Sequence, residues 1–262
     1  MKKLRKVALW IPFFASSALY GWEGKLGFSL ANSHVTGMAQ TPKGGTPGTT
    51  SFDRPTFAEA DLNHEIFHQI DASLLIGDYW LEGAYRHLSP YGNAILAKSL
   101  ITHAQFIPAG NLFEMQINYD WYQLGIGKDF VFNPQWLVTP YLQMNWLKYQ
   151  YEFASSQVNT GSSRDFSMLG SSAGVRLTYF LTEKIHLSTQ FDASIPISNL
   201  IIYQWDARIG YQVYPSRQFF VSPQCTVGWF RVDYEDNQPV PNHIRYSALP
   251  YFMLGITIGM TS

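Results

Sequence analysis

Charged residues, cysteines and long apolar runs are all scarce in this sequence. Only 14% of its 262 residues are Asp, Glu, Lys or Arg, against about 25% in a typical soluble domain. Its one cysteine, Cys225, has no second cysteine with which to form an intramolecular disulfide. No apolar run approaches the roughly 20 residues that a membrane-spanning helix needs. These shortages exclude a disulfide-stapled fold and a transmembrane helix, and they argue against an ordinary water-facing surface.

The first 18 residues have the layout of a secretory signal peptide. Four basic residues fall within the first six, an apolar run follows from Val7 to Phe14, and Ser16 and Ala18 suit the small-residue positions before a cleavage site. We therefore predict that residues 1–18 are removed and that residues 19–262 form one domain. Cleavage takes away four of the 18 basic residues and none of the 19 acidic ones, which leaves a formal charge of −5. Mild acidity argues against a nucleic-acid partner.

Apolar and polar residues alternate along most of the remaining chain. In the segment 201–214 the odd positions from 201 to 213 are Ile, Tyr, Trp, Ala, Ile, Tyr and Val, whereas most even positions are polar. A period of two is typical of a β-strand with one apolar and one polar face. Ten such strands are predicted, beginning near residues 21, 64, 79, 112, 136, 169, 185, 201, 219 and 245.

The segment 112–130 is predicted to contain an irregularity. Its apolar residues occupy the odd positions from Phe113 to Trp121 and then the even positions Leu124 and Ile126. If the apolar residues all face the same side of the sheet, a β-bulge must lie after Trp121.

Short turns alternate with long links between the predicted strands. The short turns are Gly77-Asp78, Asn133-Pro134, residues 182–184 and Pro215-Ser216, and the longer links cover 33–60, 89–111, 153–165 and 234–243, with a brief one at 196–200. This asymmetry and an even strand count are typical of bacterial outer-membrane barrels, and they put both termini on the periplasmic side. The segment 94–106 fits either a short amphipathic helix in a surface loop or an extra strand; we favour the loop. A twelve-strand barrel, the alternative, requires splitting a second segment.

Three features indicate that the apolar face of each strand points outward into lipid. The polar faces carry mainly uncharged side chains, whereas water-facing strands usually carry Lys and Glu. Aromatic residues fall near both strand ends on the apolar phase, as in the interface belts of membrane barrels, and we place Trp121 and Tyr246 in the belt next to the long links. Several strands have a dozen or more residues, beyond the usual 5–6 and enough for the roughly 9–11 that a spanning strand needs.

The pattern resembles the small bacterial outer-membrane β-barrel proteins across nearly the full chain. The resemblance implies an all-β fold, a closed antiparallel transmembrane up-and-down barrel of ten strands, in the outer membrane of a Gram-negative bacterium and in contact with its lipids. Architecture of this kind carries no function by itself. The function that it favours is a structural or surface-interaction protein or a narrow porin-like channel, whose solutes, surface ligands and oligomeric state are left open.

Inward-facing charges are the candidate functional residues. A barrel of about eight strands has just enough interior for side chains, so ten strands predict a narrow or plugged lumen. Charges at lipid depth need partners, and we expect one network of four residues at similar depth and one pair across the 77–78 turn. The lumen-lining candidates are Arg176, Asp192, Asp206 and Arg208 in the network, and Asp71 and Arg86 in the pair.

An enzyme is the less favoured hypothesis. Ten strands is also the count of the omptin surface proteases, which use Asp pairs and an Asp–His pair at the outer rim. The residues here that are placed near that rim, although no spacing reproduces the omptin motif, are Asp61, His64, Asp233, Asp236 and His243. A lipid A-modifying enzyme would need a serine beside an outward histidine such as His68, and none is identifiable. A soluble periplasmic lipocalin-like barrel with a polar exterior is a further alternative.

No catalytic residue, metal site or cofactor is predicted. The one suggestive histidine spacing, His64-x-x-x-His68, is a helical spacing placed on a strand.

Overall fold

A computed structural model of the chain describes residues 22–40, 55–102, 105–155, 158–238 and 241–261. The predicted signal peptide, residues 1–18, and residues 41–54 of the first long link lie outside these residues. The described residues form one short 3-10 helix, Phe57–Ala60, and fourteen strands. The strands are β1 Trp22–Gln40, β2 His64–Ile76, β3 Tyr79–Leu88, β4 Tyr91–Ile95, β5 Leu100–Thr102, β6 Gln105–Ile107, β7 Leu112–Lys128, β8 Phe130–Asn133, β9 Trp136–Ser155, β10 Val158–Phe180, β11 Ile185–Ser194, β12 Leu200–Tyr211, β13 Phe219–Glu235 and β14 His243–Thr261. Within the described part of the chain no helix has the length and apolarity needed to cross a bilayer.

Ten of these strands close into an antiparallel up-and-down barrel. In order around the barrel they are β1, β2, β3, β7, β9, β10, β11, β12, β13 and β14, and β14 pairs back onto β1. The predicted fold class and the strand count of ten are therefore confirmed. The described residues of the segment 94–106 add no barrel strand and no helix: β4 pairs with the upper end of β7, and β5 pairs with β6 in a separate hairpin.

The barrel strands run further toward the long links than the alternation predicted. β1 continues to Gln40, and β9 and β10 pair from their short-turn ends up to Ser155 and Val158, in a segment that the alternation predicts to be a loop. The upper half of the barrel is thus a continuation of the sheet.

The outer wall changes from apolar to polar partway up the long strands. Along β1 the outward side chains are Leu26, Phe28 and Leu30, and then Asn32, His34 and Thr36. The same change occurs after Trp146 on β9 and after Trp229 on β13. We call the lower zone the apolar band; its exposed side chains include Leu26, Phe28, Leu30, Leu142, Met144, Leu254, Ile256 and Ile258. The upper zone is the polar collar, which includes Asn32, His34, Thr36, Lys148, Gln150, Glu152, Arg231, Asp233 and Glu235.

The interior shows the opposite change, and it corrects the prediction for β7. The side chains at the odd positions from Phe113 to Trp121 face inward and are at most 2% exposed, whereas Leu124 and Ile126 face outward. The β7–β9 register runs without a break from Phe113 to Gly127, so the predicted bulge is absent. One continuous alternation of inward and outward side chains explains the sequence of β7. Below Trp121 the barrel is polar inside and apolar outside, and above Trp121 it is apolar inside and polar outside.

A similar correction applies to β14. Tyr246 and Ala248, predicted to face outward with Phe252, are buried in the interior. The phase slips instead at Leu249–Pro250, where the registers of β14 with β1 and with β13 both shift. Such a slip is what a β-bulge produces. Trp121 and Tyr246 therefore do not belong to an outer aromatic belt.

Candidate functional site

The lower half of the barrel encloses a polar cavity of about 240 Å³. Its walls come from the inward positions of the strands below Trp121, where Gln, Ser, Thr, Gly and charged residues alternate with the apolar band. All six residues singled out from the sequence line this cavity: Asp71, Arg86, Arg176, Asp192, Asp206 and Arg208.

A bidentate charge pair in the cavity crosses the barrel. Arg176 on β10 donates from Nη1 and Nη2 to the two carboxylate oxygens of Glu82 on β3, each at 2.7 Å. Bidentate guanidinium–carboxylate contacts are among the strongest hydrogen bonds in proteins. Glu82 was not among the predicted site residues. It alternates with the outward-facing apolar residues of β3, so the sequence pattern does indicate that it faces inward.

The other predicted members of the network are not joined to Arg176. Asp192 accepts a hydrogen bond from the hydroxyl of Tyr141 at 3.2 Å, and Asp206 accepts one from Gln204 at 3.1 Å. Arg208 makes no ion pair within 4.0 Å with any residue that the structure describes. The four residues therefore share one cavity without forming the single network that was expected.

Arg86 lies at the upper end of the cavity and is 2% exposed. Its Nε and Nη2 donate to Gln69 Oε1 at 3.1 and 2.7 Å, and Asp71 is not its partner. The guanidinium carbon is 4.8 Å from the ring centroids of both Trp121 and Phe230. Contacts of a cation with aromatic faces at this distance are attractive and strengthen when water is excluded.

Above Arg86 the lumen is filled by aromatic side chains, which we call the aromatic plug. Tyr119 packs against Tyr149 and Tyr246 with ring centroids 5.2 and 5.0 Å apart, and Phe57 from the 3-10 helix covers Tyr246 at 5.7 Å. The members of the plug, all at most 2% exposed, are Phe57, Phe67, Phe113, Tyr119, Trp121, Tyr149, Tyr151, Phe153, Phe230, Tyr246 and Tyr251. The plug occupies several successive levels of the upper barrel.

One carboxylate lies within the plug. Glu65 accepts hydrogen bonds from the Tyr246 hydroxyl and from the backbone N–H of Ser89. These bonds tie β2 to β14 and to the residues after β3, and they supply the polar partners that a buried carboxyl group requires.

A partly buried acid lies at the end of the cavity next to the short turns. Asp129, in the turn after β7, accepts hydrogen bonds from Trp80 Nε1 at 2.5 Å and from the Thr139 hydroxyl at 2.6 Å. Burial raises the pKa of Asp129, and the two hydrogen bonds oppose that rise only in part. The two hydrogen bonds of Asp129 connect β3 and β9 at the short-turn end of the barrel.

The rim residues considered for catalysis do not converge. Asp61 accepts a hydrogen bond from Asn63, His64 lies against His34, and Asp236 accepts bonds from Asn242. Only Asp233 and His243 meet, with 3.0 Å between Asp233 Oδ1 and His243 Nε2. They belong to the polar collar, on the outside of the barrel.

Asp233 is poorly suited to accept a proton from a substrate. It accepts hydrogen bonds from Arg231 Nη2 at 2.9 Å and from Arg245 Nε at 2.8 Å, in addition to its contact with His243. Three donors stabilise its charged form. His68, the histidine considered for lipid A chemistry, faces outward beside His87, with ring centroids 5.4 Å apart.

Comparison with known proteins identifies the fold and no family. No family model and no curated protein sequence matches the chain. Among solved structures, the outer membrane protease OmpT from Escherichia coli aligns with a TM-score of 0.52 and 10% identity, over 91% of this chain and 97% of that one. At this identity the likeness shows the fold alone, and it confirms the resemblance to outer-membrane barrels at that level.

Other outer-membrane barrels align less well. Ail of Yersinia pestis gives a TM-score of 0.37 and 12% identity over 91% of this chain and 99% of that chain. A FadL homologue of Pseudomonas aeruginosa gives 0.39 and 9%, over 94% and 92%.

Proposed function

We propose that this chain is exported through a signal peptide of residues 1–18 and resides in the outer membrane of a Gram-negative bacterium. The apolar band supports this location, because contiguous exposed apolar surface around a closed barrel is stable only in lipid. The polar collar then rises above the outer leaflet. A soluble lipocalin-like barrel is not supported, because its exterior would be polar along the whole strand.

Export makes a simple prediction about the mature protein. We expect cell fractionation to recover it in the outer membrane, with an intact mass that lacks residues 1–18. A cytoplasmic or full-length protein would contradict the proposal.

We propose further that the barrel is a closed scaffold, which acts as a structural or surface-interaction protein and not as a pore. The aromatic plug is the observation that supports this choice. A conducting lumen must offer ions a wetted path, whereas the plug places tightly packed rings at several levels above the polar cavity. With the interior filled, the collar and the extracellular links are the surfaces left for contact with other molecules.

Planar-bilayer recording tests the closed barrel. We expect the wild-type protein to give no discrete conductance steps, and we expect Trp121→Ala to remain silent as well. Removing one indole leaves the rings of Tyr119, Tyr149 and Tyr246 above it. A sixteen-stranded porin in the same bilayers is the positive control for the recording.

Insertion must be verified separately. Flotation with lipid vesicles and heat-modifiable migration in gels report whether the silent protein is folded and membrane-bound. Reproducible single-channel steps from the wild-type protein would overturn the closed scaffold and favour the narrow channel.

A further inference from the structure

Three side chains with metal-binding atoms lie in one row at the extracellular end of the barrel. His243 on β14 pairs directly with Gln40 on β1 and with Glu235 on β13. Directly paired residues of neighbouring antiparallel strands project from the same face of the sheet. The row spans the seam at which the last strand of the barrel closes onto the first.

The hydrogen bonds of His243 leave one ring nitrogen available. Its Nε2 lies 3.0 Å from Asp233 Oδ1, so we assign the proton to Nε2 and the lone pair to Nδ1. His243 is buried, and Nδ1 has no hydrogen-bond partner among the described residues. A histidine that donates one N–H to a carboxylate and presents the other nitrogen is the usual arrangement of a metal-binding imidazole.

A carboxylate oxygen of the neighbouring strand lies at ligand distance from Nδ1. Glu235 Oε2 lies 3.4 Å from it, without the geometry of a hydrogen bond. Two ligands that each lie about 2.0–2.1 Å from a tetrahedral zinc ion are separated by about 3.3–3.4 Å. The Oε1 atom of Gln40 is likewise buried and without a hydrogen-bond partner in the described part of the chain.

We propose that this row binds a divalent transition-metal ion of the zinc type. The ligands are His243 Nδ1, Glu235 Oε2 and Gln40 Oε1, and a water molecule completes the tetrahedron. Asp233 is a positioning residue, which orients the imidazole and is itself held by Arg231 and Arg245. The described residues contain no group of three or more His, Cys, Asp or Glu side chains in a metal-binding arrangement; here the third ligand is an amide oxygen.

A bound ion would join β13, β14 and β1 across the closing seam. Strand ends at a rim fray more easily than the middle of a sheet because they have fewer neighbours. The ion therefore stabilises the rim from which the first and last extracellular links emerge. The site is independent of whether the barrel conducts, so the conductance result does not decide it.

Titration calorimetry with zinc chloride tests the site. The protein is the refolded full barrel in detergent, without a polyhistidine tag. We expect one zinc ion per wild-type chain, binding that is lost in His243→Gln and at least about tenfold weaker in Glu235→Gln, and about 10–100-fold weaker binding in Asp233→Asn.

His64→Gln is the matched control. His64 faces outward on the same wall, beside His34, and is not in the row. We expect zinc affinity equal to that of the wild type. Glu235 is exposed, so Glu235→Gln decides the question even if His243→Gln does not fold.

Three results would overturn the proposal. The first is a wild-type protein that binds no zinc, and the second is affinity unchanged in Glu235→Gln. The third is an equal loss in His64→Gln, which would indicate scattered binding to surface histidines.

Discussion

Replacing Trp121 with alanine is expected to lower the free energy of unfolding by about 3–5 kcal/mol, the usual cost of removing a buried Trp or Phe side chain. Trp121 is 1% exposed, contacts Phe230 and covers the guanidinium of Arg86. Its Nε1 also donates to Asn145 Oδ1 at 3.0 Å. Urea unfolding of the refolded barrel, followed by circular dichroism, measures the change.

Trp146→Ala is the control for this prediction. Trp146 lies on β9, opposite Tyr122 of the neighbouring strand, but faces outward and is 42% exposed. Its indole contributes no packing to the plug, so we expect a clearly smaller loss. Equal losses for the two variants would mean that the upper lumen is not packed as a core.

The strand number and order could be predicted from the sequence because they depend on local signals. Each spanning strand alternates apolar and polar residues over enough positions to be recognised from its own sequence. Gly77-Asp78 and Asn133-Pro134 are turn-forming pairs. In an up-and-down barrel consecutive strands are neighbours, so the order in space follows directly from the order in sequence.

The orientation of the upper strands could not be read from alternation. A period of two shows that a strand has two different faces, but it does not say which one is inside. In β7 the apolar residues move from odd to even positions after Trp121, and the alternation alone predicts a bulge there. The strand is regular. Above Trp121 its outward face is polar and its inward face packs in the plug, whereas below Trp121 its outward face is apolar and its inward face lines the polar cavity.

A sequence signal for that change exists in the placement of charges. On β9 the outward positions read Leu142, Met144 and Trp146, and then Lys148 and Glu152. The point along the strand at which charged residues replace apolar ones at the outward-facing positions marks the height at which the outer wall meets water. The same signal occurs on β13, where Arg231 and Asp233 follow Trp229.

Residues of the cavity were easier to predict than their partners. Alternation alone places Arg176 and Asp206 on the inward phase. The partner of Arg176 is Glu82, 94 residues away in sequence and on a strand that does not adjoin β10. Such pairings depend on the curvature and register of the closed barrel, which no local pattern specifies.

The row of Gln40, His243 and Glu235 was missed for a related reason. Its members come from the two ends of the chain, and Gln40 lay in a predicted loop. Metal-binding spacings in sequence detect ligands on one element, whereas this row becomes visible only when the register of β1 with β14 is known.

An arginine at the centre of the apolar band is expected to destabilise the barrel by about 2–4 kcal/mol, whereas the same residue in the collar should have little effect. Leu26 lies midway between Trp22 and Leu30 on the outer wall of β1, and Leu26→Arg would place a guanidinium in hydrocarbon. Thr36→Arg is the matched control, because Thr36 faces the same side of the same strand, three outward positions above Leu30, and pairs with the polar residue Ser247. Urea unfolding in lipid vesicles compares them. In detergent micelles, which adapt to a charge more readily than a bilayer, the difference between the two variants should shrink. Similar losses for the two variants in vesicles would mean that the change of polarity along β1 does not mark the membrane boundary.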